Sequence, residues 1–142
     1  MDAQVQARWV ADLFSGLYPQ TTSTLHNQDG YCCLGVAAEG ALGLDGEKDW
    51  VTYEDEETGE LVEQDEFVTY YADNGDPDVF NDEFCEGIGL NKSVHDFLTR
   101  LNDNFGWNFE EIAGFLDGRD LTLGIAQAEI DVIIAEHDAA RA

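Results

Sequence analysis

Hydrophobic residues in the N-terminal third recur at helical spacing. Between residues 3 and 16, apolar side chains follow every three to four residues, as in an amphipathic helix; these positions are Val5, Trp9, Val10, Leu13 and Phe14. Residues 17–30 are rich in Thr, Ser, Asn and Gly, with one Pro, and predict a loop. The segment 31–42, YCCLGVAAEGAL, predicts a short buried helix that ends at Gly43.

The C-terminal third carries three further helical patterns. Ser93, with Asp96 three residues later, resembles a capping box and precedes apolar residues at helical spacing, namely Val94, Leu98 and Leu101. Asn108 with Glu111 marks a second helix start. Residues 121–139 predict a third helix, whose apolar positions are Ile125, Ile130, Ile133 and Ile134.

The middle of the chain has a different pattern. Apolar and aromatic residues in 50–64 flank a turn at Thr58-Gly59, which predicts an antiparallel hairpin, and residues 67–71 (FVTYY) could extend it. Residues 73–89 are rich in Asp and predict a loop. We therefore predict a single α+β domain over 1–142. It would have about four to five helices and an acidic antiparallel hairpin or small sheet inserted at about residues 45–89.

Charge changes this picture most. The chain has 31 acidic residues against 6 Lys and Arg, a formal net charge of -25. Residues 45–86 hold 17 acidic side chains and one base, Lys48, for a net of -16, so the other 100 residues carry only -9. Such a surface repels nucleic acid and anionic membranes and attracts basic proteins or cations. Adaptation to high salt and mimicry of DNA phosphates both explain it, and the sequence leaves both open.

The sequence lacks the patterns of membrane-spanning segments, signal peptides and common cofactor sites. No apolar run approaches the roughly 20 residues that span a bilayer, and the first ten residues lack the pattern of a signal peptide. We expect a protein of the cytoplasm of whatever cell makes it, with no membrane association. No phosphate-binding glycine loop, dinucleotide fingerprint or HExxH motif occurs, so we expect no cofactor and no metal.

The three cysteines, Cys32, Cys33 and Cys85, are an odd set with one adjacent pair, which predicts reduced, buried thiols rather than disulfides. A cysteine at a helix start can be acidified by the helix dipole, so a nucleophilic Cys33 is an alternative interpretation. A zinc site formed by the three cysteines and His26 is another.

Aromatic and acidic residues alternate through the predicted hairpin. Aromatic rings supply contact area at low entropic cost, and carboxylates pair with Arg or Lys on a partner. This pattern indicates a surface that binds a basic protein, and its candidate residues are Trp50, Tyr53, Glu54, Asp55, Glu57, Glu63, Asp65, Glu66 and Tyr70.

Three segments carry a resemblance to a known family: WVADLFSGLYPQ (9–20), GYCCLGV (30–36) and LTRLNDNFGWNFEEIAGFL (98–116). In this order they are similar to a family of small proteins encoded by tailed bacteriophages and related viruses. The chain departs from that pattern in its acidic centre and at Phe14, where a basic residue is more usual. The resemblance implies a viral origin and no particular chemistry.

Taken with the charge, this resemblance favours a non-enzymatic viral accessory protein that binds a basic host macromolecule. One form of that role is a DNA-mimic inhibitor of a host DNA-binding or defence protein. The alternatives are a small Cys-dependent enzyme and a virion or structural component of a halophilic or marine virus.

Overall fold

Helices from both ends of the chain pack around one core, with a small sheet beside them. The structure is a computed structural model that describes residues 1–70 and 78–141, without the side chains of residues 51, 53 and 61–65. Within that part, the six α-helices are α1 (Ala3–Phe14), α2 (Cys33–Val36), α3 (Asp82–Ile88), α4 (Lys92–Asp103), α5 (Phe109–Leu116) and α6 (Gln127–Arg141). The fold class is α+β, as predicted.

The first predicted helix is present and its core face is narrower than expected. The Asp2 carboxylate caps α1 by accepting the backbone N–H groups of Gln4 and Val5. Trp9, Val10 and Leu13 are buried, as the periodicity predicts. Phe14 is 50% exposed, so its assignment to the apolar stripe is wrong. It is the last residue of α1, beyond the helix turns that the core covers.

The cysteine-containing segment forms the centre of the core. Helix α2 continues directly into a π-helical turn at Ala37–Ala41, and the segment reverses near Gly43, which has a φ of +59°. A side chain at position 35 would place its Cβ 1.8 Å from the Leu25 carbonyl oxygen. Only glycine allows this approach between α2 and the preceding loop.

The sheet has four antiparallel strands in the described residues. They are β1 (His26–Asn27), β2 (Gly30–Tyr31), β3 (Glu47–Glu54) and β4 (Leu61–Thr69), in the spatial order β2-β1-β4-β3. The predicted hairpin is β3–β4, with Gly59 at a φ of +68° in its turn. Residues 67–69 complete β4 rather than forming a further strand.

Two segments predicted as loops contain regular structure. Strand β1 lies within 17–30, and β2 begins at the last residue of that segment, Gly30. Strand β1 pairs with β4 at Asn27 and Phe67, so the hairpin is one half of a larger sheet. Helix α3 lies within 73–89, capped by Asn81 and closed by Gly89 at a φ of +71°. Residues 71–77, for which we predicted the end of a strand and a loop, lie outside the described residues.

The C-terminal helices form where their patterns indicate, with shifted starts. Helix α4 begins at Lys92 because Asn91 caps it by accepting the Ser93 N–H, so Ser93 is not the cap. The capping box of Asn108 and Glu111 at α5 is confirmed. Helix α6 begins at Gln127, later than predicted, and no helix in residues 1–70 and 78–141 is long and apolar enough to cross a membrane.

Candidate functional site

Strand β3 and the turn that follows it are exposed on both faces. Every side chain described between residues 45 and 60 is exposed. Side chains alternate between the two faces of a strand, so exposure at consecutive positions means that neither face of β3 is covered. We call residues 45–60 the acidic ribbon. Against one base, Lys48, it carries eight acidic residues: Asp45, Glu47, Asp49, Glu54, Asp55, Glu56, Glu57 and Glu60.

The turn of the ribbon is held by one of its own carboxylates. Asp55 Oδ1 accepts the backbone N–H of Glu57 at 2.8 Å and that of Thr58 at 3.1 Å. These two hydrogen bonds stabilise the ionised form and lower the pKa of Asp55. The carboxylate is therefore both a structural cap and a charge at the tip of the ribbon.

The predicted aromatic anchor at Trp50 is available on the ribbon. Trp50 is 50% exposed and stands opposite Glu66 in the register of β3 and β4. Glu66 is half-buried and pairs with Lys48 at 3.3 Å, so its charge is already partly balanced. Tyr53 lies opposite Glu63, and Asp65 lies opposite Val51, on strand positions whose side chains are outside the described part of the structure.

Tyr70 is not part of an exposed surface, and its assignment to the partner-binding set is wrong. Its side chain is fully buried. Its hydroxyl donates to Glu39 Oε2 at 3.0 Å and lies 3.4 Å from His26 Nδ1, while burial and the nearby Glu39 raise its pKa. Glu66, Val68 and Tyr70 alternate onto the same face of the sheet, which also bears Trp50. This face is exposed at Trp50 and is covered by the core from Val68 onward, so Tyr70 is buried.

A cluster of titratable aromatic residues, which the sequence did not predict, lies at the base of the ribbon. His26 stacks on Tyr31 with ring centroids 3.8 Å apart, and Tyr31 meets Tyr18 edge to face at 5.1 Å. Burial raises the pKa of both tyrosines and lowers that of His26. The rings come from separate segments, so no local motif reveals them. The Tyr70 hydroxyl links this cluster to the π-helical turn, because it lies near His26 Nδ1 and donates to Glu39.

The three cysteines are free and buried, as predicted. Cys33 Sγ points into the core, 3.7 Å from the Leu98 carbonyl oxygen, and burial holds its pKa well above that of a free thiol. Burial also raises the pKa of Cys32 to about 12 and that of Cys85 to about 11. A buried, protonated thiol is a poor nucleophile. In the described part of the chain, no group of three or more His, Cys, Asp or Glu side chains could hold a metal ion.

The three segments that carry the family resemblance meet at one buried amide. Asn102 Oδ1 accepts from Gln20 Nε2 at 2.9 Å and from the Cys33 N–H at 3.2 Å. Gln20 Nε2 also donates to the Trp107 carbonyl at 2.8 Å, and Trp9 Nε1 donates to the Cys33 carbonyl at 2.9 Å. These hydrogen bonds join the three segments around the buried side chains of Trp9 and Asn102. The motifs therefore act here as packing determinants.

One family model covers most of the chain. A family model matches residues 1–119, which include the sheet and helices α1 to α5 and leave out α6. No curated protein matches the chain, and no solved structure matches it. The chain belongs to the family described as a domain of unknown function, DUF8296.

Proposed function

We propose that the protein is a non-enzymatic binding protein that engages a basic protein partner through the acidic ribbon. The observation that carries this proposal is the exposure of every described side chain in residues 45–60, on both faces of β3. Residues that stabilise a fold do so mainly by burying apolar surface, and this segment buries little apolar surface. Its composition instead concentrates charge on an arm that a partner can reach from two sides.

The electrostatic cost of the ribbon supports a partner that neutralises it. Neighbouring strands lie about 4.8 Å apart, which is less than the Debye length of about 8 Å at physiological salt, so the carboxylates repel one another. In the described residues the hairpin joins the rest of the sheet through one residue pair, Asn27 with Phe67, and beyond that pair it has only two strands, an arrangement that is at best marginally stable by itself. Lys48, the one base of the ribbon, pairs with Glu66 on β4 and not with a carboxylate of the ribbon itself. Arg and Lys side chains on a partner would remove the repulsion and gain ion pairs at the same time.

The resemblance to virus-encoded proteins supports a basic host protein as that partner. A host DNA-binding protein offers a groove built to accept a line of negative charge, and the ribbon presents such a line. In this role the protein competes with DNA for its target. The buried thiols and the absence of a metal cluster from the described residues give the Cys-dependent and zinc interpretations no support.

Two variants of equal net charge test the proposal. The ribbon variant carries Glu54→Gln, Asp55→Asn, Glu56→Gln, Glu57→Gln and Glu60→Gln. The body variant neutralises five exposed acidic residues on or beside the helices, by Glu86→Gln, Glu110→Gln, Asp117→Asn, Asp131→Asn and Glu136→Gln. Each changes the net charge from -25 to -20. Circular dichroism checks that both are folded.

Binding is measured to an arginine-rich peptide and to a basic DNA-binding domain. We expect the ribbon variant to lose affinity and the body variant to keep it, because the partner contacts the neutralised groups only in the first. Equal affinities of the two variants would favour general salt adaptation over a binding surface and would refute the proposal.

A further inference from the structure

At the outer edge of the ribbon, no further strand of the described residues covers the sheet. Strand β3 is last in the order β2-β1-β4-β3, and in residues 1–70 and 78–141 its only strand partner is β4. It is eight residues long, whereas β2 at the other edge has two. An edge strand of this length presents a row of unpaired backbone N–H and C=O groups.

Two hydrogen bonds show which backbone groups of β3 face outward. The Trp50 N–H donates to the carboxylate of Asp49 at 2.8 Å, so it does not point at β4. Its register partner Glu66 donates its N–H to Gln28 Oε1 at 2.9 Å, on the side of β4 away from β3. Trp50 and Glu66 are therefore a non-hydrogen-bonded pair, and the alternation of antiparallel pairs turns the groups of Lys48 and Thr52 outward as well.

The side chains around this edge favour an added strand that is positively charged. Asp49 covers the Trp50 N–H when no partner is present, and a competing cation could draw that carboxylate away. Glu47 and Asp49 lie on one face of β3, while Trp50 offers a half-exposed ring on the other. Carboxylates pair with Arg and Lys, and the guanidinium group also stacks on indole rings. An acidic strand, including a second copy of this ribbon, would be repelled.

We infer that a basic, extended segment of the partner adds to the open edge of β3 as a fifth strand. Its backbone bonds to the outward groups of Lys48, Trp50 and Thr52, and its Arg or Lys side chains pair with the carboxylates of the ribbon. This inference rests on the proposed function and specifies how the ribbon recognises its partner. Backbone pairing of this kind supplies affinity, while side chains supply selectivity.

Two peptides with the same net charge but different backbone chemistry test the inference. The first alternates Arg and Thr over about nine residues, matched to the length of β3. The second has the same sequence with every central backbone nitrogen methylated, which removes the donors that a strand needs. Fluorescence anisotropy gives the affinity of the wild-type protein for each. We expect the methylated peptide to bind at least about tenfold more weakly, since several hydrogen bonds are lost.

A protein variant tests the same contact from the other side. Thr52→Pro removes an outward N–H and adds ring atoms at the edge, without removing a bond of the β3–β4 ladder. Thr52→Val is the matched control, because it keeps the backbone donor. We expect the unmodified peptide to bind Thr52→Val like the wild type and Thr52→Pro about tenfold more weakly. If Thr52→Pro does not fold, the pair of peptides decides the question.

The outcomes separate the two proposals. Equal binding of both peptides to the wild type would mean that charge alone holds the partner, which overturns strand addition and leaves the acidic ribbon as the binding surface. Strand addition would also be overturned if the wild-type protein bound neither the unmodified nor the methylated peptide. The proposed function itself falls only if the ribbon and body variants bind a basic partner equally.

Discussion

Replacing Asn102 by Leu should destabilise the fold although the two side chains are similar in size. Asn102 is 2% exposed, and its Nδ2 donates to the Thr21 carbonyl and to Asp103 Oδ1, each at 2.9 Å. Its Oδ1 accepts the N–H of Cys33, the first residue of α2, which has no partner within that helix. A leucine at this position would leave that buried donor unpaired.

The magnitude follows from the groups that lose partners. An unpaired buried N–H costs about 1–3 kcal/mol, and loss of the bond to the half-buried Thr21 carbonyl costs about 0.5–1.5 kcal/mol. Burial of the leucine side chain offsets part of this by about 1 kcal/mol. We therefore expect the free energy of unfolding to fall by about 2 kcal/mol, a large share of the roughly 5–15 kcal/mol of a small domain.

Urea unfolding measures this change as a lower midpoint at constant slope. Asn104→Leu is the control, because Asn104 is exposed two residues farther along and should change stability by less than about 0.5 kcal/mol. A loss below about 0.5 kcal/mol in Asn102→Leu would refute the view that the motif residues hold the core together.

Two further predictions concern salt and pH. The melting temperature should rise as KCl increases from about 0.01 M to about 1 M, because the Debye length falls from about 30 Å to about 3 Å and the repulsion within the net charge of -25 is screened; an unchanged melting temperature would contradict this. Burial lowers the pKa of His95, whose Nε2 accepts the Phe80 N–H at 3.1 Å. In the unfolded chain, the pKa of this histidine is about 6.5, so the unfolded state takes up the proton first and stability should be lost as pH falls below about 6.5. His95→Gln should flatten that pH dependence in urea unfolding, and an equally steep dependence in the variant would count against the assignment.

The helical core could be predicted from the sequence because its signals are local. Trp9 and Leu13 are buried where their period places them, and the capping box of Asn108 and Glu111 marks the start of α5. Helix α3 was not predicted because the segment 73–89 that contains it is rich in Asp, as loops often are, although Asn81 is a recognisable cap. Composition does not distinguish a helix whose first turn is acidic from a solvated turn.

The candidate site was predicted only in part because exposure along the ribbon depends on tertiary structure. Trp50 and Tyr70 have the same alternation and chemistry, yet one is half exposed and the other is buried beside Glu39. The sequence contains no signal for the point at which the ribbon leaves the core. The tyrosine cluster at its base was missed for a related reason, since Tyr18 and Tyr31 meet only after the loop folds back.

The affinity ratio of the ribbon and body variants for one arginine-rich peptide tests the central claim most directly. Exposed ion pairs contribute about 0.2–1 kcal/mol each, so loss of five should weaken binding at least about fivefold to tenfold. Charges on the helical body act only through a field that is screened over about 8 Å at physiological salt, and their loss should change the affinity by less than about twofold. A dissociation constant raised in the ribbon variant alone is the predicted result. Equal dissociation constants for the two variants would contradict the account.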